Sequence, residues 1–70
     1  MRYAIVIEKG DRNYGAYVPD LPGCVAAGDT VAEVQQLIRE AMEFHLAGMR
    51  QDGVPIPLPL SQVDYIDVAA

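Results

Sequence analysis

A chain of 70 residues is one domain at most, and at that size folding removes only about 60% of the unfolded surface from water, which makes stability marginal and self-association the expected aid. With 51% hydrophobic and 21% charged residues, wholesale disorder is excluded. The net charge of −5, with only five Lys and Arg, excludes a surface built to hold phosphate backbones and favours encounter with a basic partner.

The opening MRYAIVIEKGD carries an apolar run that Glu8 and Lys9 interrupt. It is too short for a signal-peptide core or a bilayer span. Together with a single cysteine, which agrees with a reducing compartment, this leads to the expectation of a soluble cytoplasmic protein. Arg2 to Lys9 and Tyr14 to Val18 are rich in β-branched and aromatic residues and flank the polar turn Gly10–Asn13. They read as a hairpin. Alternation puts Tyr3, Ile5 and Ile7 on one face and Ala4 and Val6 on the other, so neither face is purely polar.

Next comes VPDLPGCVAAGDT, Val18 to Thr30. Pro19 and Pro22 fix their own φ and push Val18 and Leu21 toward extended conformations, and Pro22-Gly23 suits the central pair of a type II turn. Cys24 to Ala27 reads as a short third strand, stopped by Gly28. Thr30-Val-Ala-Glu33 matches a capping box, with the Thr30 hydroxyl on the Glu33 N–H and the Glu33 carboxylate on the Thr30 N–H. A helix from Val31 to Asp52 follows, roughly 33 Å long, closed by Gly53 and by Pro55 just beyond. Its apolar stripe holds Val31, Val34, Leu37, Ile38, Ala41, Met42, Phe44, His45, Gly48 and Met49, broader than one contact with a small sheet requires.

In Val54 to Leu60, VPIPLPL, alternate prolines forbid helix and favour an extended strip that carries the chain back along the helix. Gln62 to Val68 reads as a last strand, Val63, Tyr65 and Asp67 against Asp64, Ile66 and Val68. The resulting class is α+β, an antiparallel sheet with one long helix on one face. Residues 1–70 form a single domain in this reading, and the uncovered apolar surface points to a partner or a second copy.

PDLPGC at Pro19–Cys24, GDT at Gly28–Thr30, the long amphipathic helix and the Gly-x-Pro-x-Pro exit at Gly53, Pro55 and Pro57 together resemble the HicB antitoxin family over nearly the whole length. The resemblance implies a βββαβ domain, a partial ribonuclease H fold, that dimerises or tetramerises. It also implies binding and silencing of a small basic partner, the HicA messenger-RNA endoribonuclease. Many family members continue into a helix-turn-helix or ribbon-helix-helix domain that binds operator DNA. This sequence ends at Ala70, so no C-terminal DNA-binding domain and no direct nucleic-acid contact are expected.

Most of the distinctive residues have backbone roles. Pro19, Pro22, Gly23, Thr30, Glu33 and Gly53 are read as structural, supplying locked φ, a free φ and helix caps. Asp20, Leu21, Asp64, Tyr65, Ile66 and Asp67 are the candidate partner contacts, with Leu21 alternatively plugging the core and Asp64 and Asp67 alternatively guarding an edge strand. Cys24 is read as strand filler and His45 as a core or interface residue, one histidine alone being a poor zinc site. The fold resemblance raises a two-metal nuclease built on Glu8, Asp20, Asp29, Glu33 and Asp64, but the first strand has no central carboxylate and helix capping accounts for Asp29 and Glu33. No cofactor, metal or catalysis is expected. The function expected is an antitoxin-like protein that binds and inhibits a small basic mRNA-cleaving toxin; the alternative is a stand-alone homo-oligomeric binding protein.

Overall fold

The computed structural model describes residues 1–69, leaving only Ala70 of the expected domain outside the described residues. Strands β1 (Val6–Lys9), β2 (Tyr14–Tyr17) and β3 (Val25–Gly28) precede one helix, α1 (Val31–Gln51). The strands form an antiparallel sheet in the order β1-β2-β3, and α1 packs on one of its faces, which is the α+β architecture expected.

β1 is shorter than the expected strand from Arg2. In the observed register Val6 lies opposite Tyr17, so continuing the ladder would set Ala4 against Pro19. Proline has no N–H for the ladder, and pairing ends. Register also sorts the two faces. Ile7, Ala16 and Ala26 align across the sheet beneath the helix, whereas Val6, Tyr17 and Val25 align on the far side. The alanines are small enough for α1 to lie close. At Gly28 the approach is closest, because a Cβ there would sit 3.1 Å from the Val34 nitrogen and 3.2 Å from the Glu33 side chain.

The core comprises Ala16, Val18, Leu21, Cys24, Val34 and Ile38, with Tyr3, Ile5, Ile7, Ala41, Met42 and Leu46 packed around it. The broad helix stripe is thus split. Val34 and Ile38 are buried, but Phe44 is 83% exposed and Leu37 sits at the rim, while Leu46, outside the expected stripe, joins the core periphery. The cause is an offset: α1 lies over β2 and β3 and leaves β1 largely uncovered.

Both helix ends follow their sequence signals, with one shift. The Thr30 hydroxyl accepts the Glu33 N–H at 3.0 Å. The Glu33 carboxylate accepts the N–H of Asp29 at 3.3 Å instead of that of Thr30, so the box closes one residue earlier than expected. At the other end Gly53 adopts φ +70°, its N–H donates to the Arg50 carbonyl at 3.2 Å, and the Val54 N–H donates to the Met49 carbonyl at 2.9 Å. This pair of bonds is a Schellman motif, available to glycine because a side chain resists that φ.

Beyond Gly53 the chain turns back in extended form, and the Tyr3 hydroxyl donates to the Pro57 carbonyl, tying the return segment to the start of the chain. The strand expected over Gln62–Val68 is not formed in the single chain. These residues have strand-forming types but no adjacent edge, and they are exposed throughout. The radius of gyration, 13.7 Å, exceeds the ~11 Å of a compact chain of this length, and the longest dimension reaches 47 Å.

Candidate partner-binding surface

Two turns in tandem shape the Val18–Cys24 loop. The Leu21 N–H donates to the Val18 carbonyl at 3.1 Å and the Cys24 N–H to the Leu21 carbonyl at 3.1 Å, so Pro19 and Pro22 each occupy the second position of a turn. Gly23 takes φ +84°, as the type II turn requires. The Val18 N–H then closes the loop onto the Cys24 carbonyl at 3.3 Å. Leu21, at the centre, points inward with no exposed surface. Its place among the candidate partner contacts is therefore corrected: it is a plug in the core, held there by a rigid loop.

Asp20 beside it is also engaged. Its carboxylate accepts the Ser61 N–H at 2.8 Å and the Ser61 hydroxyl at 2.9 Å, clamping the return segment to the β2–β3 loop. Charged acceptors make such bonds stronger than neutral ones. Past this clamp lie Asp64, Tyr65, Ile66 and Asp67, all exposed; Tyr65 retains 89% and Ile66 82% of their accessible surface. The structure therefore brings these tail residues together on one projecting segment and separates them from Leu21.

Two further apolar features emerge. One is the bare face of the sheet, where Val25 is 64% exposed beside Tyr17 and Val6. The other is a groove of about 500 Å³ between the β1 edge and α1, floored by Tyr3, Ile5, Ile38, Met42 and Leu46 and rimmed by Arg39 and Glu43. The groove follows from the helix offset. Its helical half was readable as the i, i+4, i+8 series Ile38, Met42, Leu46, but the sequence does not reveal which flank the sheet leaves open.

Cys24 is buried, and desolvation raises its thiol pKa above the usual value, the reverse of what nucleophilic use requires. His45 is half-buried on α1. Among the described residues no three His, Cys, Asp or Glu side chains gather as a metal site, so the carboxylates considered for a nuclease do not converge. No helix among them is long and apolar enough to cross a membrane.

An antiparallel sheet under one long helix, with a proline-glycine loop plugging the core and a tail left unpaired, is matched by a family model over residues 3–69. The chain belongs to the HicB-like antitoxins of bacterial toxin-antitoxin systems. It is 46% identical over 96% of its length to a 14.9 kDa protein of the rep-hol intergenic region of Haemophilus phage HP1, of which it spans 50%. It is 38% identical to the UPF0150 protein ssr1765 of Synechocystis, over 79% of this chain and 71% of that one. Among solved structures, the HicA3 and HicB3 toxin-antitoxin complex includes a chain that superposes with a TM-score of 0.73 at 33% identity, over 86% of this chain and 70% of that one.

Proposed function

We propose that this chain is the antitoxin subunit of a toxin-antitoxin pair, a non-enzymatic cytoplasmic protein that binds a small basic HicA-like ribonuclease and blocks its access to RNA. The observation that carries this reading is the family match over residues 3–69. The likeness to a chain solved within a toxin-antitoxin complex supports it. Chemistry agrees: a net charge of −5 draws a basic protein, and the bare row Val6, Tyr17 and Val25 offers an apolar contact of the kind stable interfaces bury at their centre. Asp64 and Asp67, with Tyr65 and Ile66 between them, lie exposed to complement the toxin's charge, whereas Asp20 acts indirectly by holding Ser61. The long-range part of this attraction weakens with salt.

The test is co-expression with the product of an adjacent small basic reading frame. The two proteins should co-purify, and RNA cleavage by the basic protein should fall to background at a stoichiometric amount of this chain. Cleavage undiminished by excess chain would refute the reading. Within a complex that does form, Tyr17→Glu should weaken inhibition at least tenfold, because it places a charge in the apolar row while leaving the helix-facing core untouched.

A further inference from the structure

The open edge of β1 and the unpaired tail are complementary, and they belong to the same chain. Backbone phase shows what the edge offers. The Gly10 N–H bonds the Asn13 carbonyl at 2.7 Å across the hairpin turn, and on the next strand the Val18 N–H turns toward Cys24. Counting back by twos from Gly10, Glu8 and Val6 direct their backbone groups at β2, so Ile7, and Ile5 just before the strand, direct theirs at the open side. β1 is an outer strand in the sheet order, leaving these groups without a ladder partner.

Gln62–Val68 is the matching element. Its seven residues span about 23 Å when extended, the same reach as Tyr3–Lys9. Alternation sets Ile66 and Val68 on one side and Val63 and Tyr65 on the other. Paired to β1, the first set enters the groove floored by Ile38, Met42 and Leu46, while Tyr65 extends the row formed by Val6, Tyr17 and Val25. Charge agrees in sign: the tail carries Asp64 and Asp67, and the two hollows along this edge are lined by Arg39 and Arg2, with Glu43 the acidic residue on the rim.

The tail does not pair with its own chain's edge. Ser61 is clamped by Asp20, Gln62 and Val63 pass Arg2–Ile5 at a distance that leaves a hollow of about 570 Å³, and the residues beyond remain exposed. We propose that a second copy of this chain supplies the missing strand: each tail from Gln62 to Val68 adds to the β1 edge of the other copy and fills its groove. The exchange is reciprocal, giving a two-fold dimer in which both edges close at once. This goes beyond the toxin-binding reading and does not depend on it, since Tyr65 and Asp67 stay on the outer face.

The experiment combines mass with amide exchange on the 70-residue chain. Sedimentation should give twice the 7.6 kDa subunit mass, with the Ile5 and Ile7 amides protected from exchange. Dilution below the dimer's dissociation constant should return the mass to 7.6 kDa and unprotect those amides together. Ile66→Lys, at a side chain 82% exposed in the single chain, should do the same at high concentration with the helical circular dichroism retained. Protection that survives in a monomer would place each tail on its own edge and overturn the proposal. A dimer unchanged by Ile66→Lys, with the Ile5 and Ile7 amides exchanging freely, would overturn it equally by assigning the contact to another face. The wild-type dilution series decides the question even if the variant loses its fold.

Discussion

Leu21→Ala tests whether the proline-glycine loop serves the core or the partner. Leu21 has no exposed surface, and its loop is held by hydrogen bonds from Val18 to Cys24. Removing three carbons forfeits about 2.4 kcal/mol of transfer free energy at roughly 0.8 kcal/mol each. The braced loop cannot collapse freely into the space, so a cavity cost adds to this and the total falls in the range of about 3–5 kcal/mol. At roughly 0.05–0.15 kcal/mol per residue, a chain of 70 residues holds about 4–10 kcal/mol in all, and the substitution removes a large part of it. Urea unfolding followed by circular dichroism, at one fixed protein concentration because dimerisation couples to stability, should show the midpoint falling steeply with little change in slope. Were Leu21→Ala to unfold at the wild-type midpoint, or to lose only partner affinity, the assignment of this loop to the core would be wrong.

Other substitutions separate backbone strain from steric crowding. Gly28→Ala should cost about 1–3 kcal/mol by overpacking, because its Cβ meets the Val34 nitrogen and the Glu33 side chain at 3.1 and 3.2 Å. Gly23→Ala has open space around it but sits at φ +84°, so only strain of about 1 kcal/mol is expected; equal effects in thermal melts would contradict the distinction. Thr30→Ala removes the bond to the Glu33 N–H and should cost about 1 kcal/mol, recovered largely by Thr30→Ser or Thr30→Asp. For Cys24 the sign follows from burial: the folded state keeps the thiol proton to higher pH than the unfolded chain, whose value is near 9.0. Its contribution to stability is complete below that pH and is lost as pH rises through the folded value. Wild type should therefore lose stability relative to Cys24→Ala between pH 9 and 11, measured by urea midpoints, and parallel curves for the two proteins would refute the linkage.

The parts of the structure legible in the sequence are those set by neighbours along the chain. Pro22-Gly23 dictates a type II turn, Thr30 a cap, and Gly53 a left-handed exit through local sterics alone, and each is found at its expected residue. Where two distant segments meet, local rules fail. The capping box closes on Asp29 because Gly28 brings β3 against the Glu33 side chain. The extent of β1 depends on which residue of β2 faces Ala4, and register makes that residue Pro19. Phe44 and Leu46 exchange their expected roles because the helix stripe says how wide the apolar surface is but not where the sheet lies beneath it.

The candidate site was half legible for the same reason. Gln62–Val68 alternates as a strand should, yet a strand is defined by the edge beside it, and this chain places none within reach of its own tail. The Asp20–Ser61 clamp joins residues 41 apart in sequence, and no motif announces it. Once present, it aims the tail away from the body and leaves the β1 groove unfilled. A chain of this size has too little core to leave an apolar groove in water at no cost. Filling it from a second molecule satisfies the open backbone edge and the exposed Ile66 and Val68 in one step, while the far face of the sheet, with Tyr17 and Val25, stays free for a different protein.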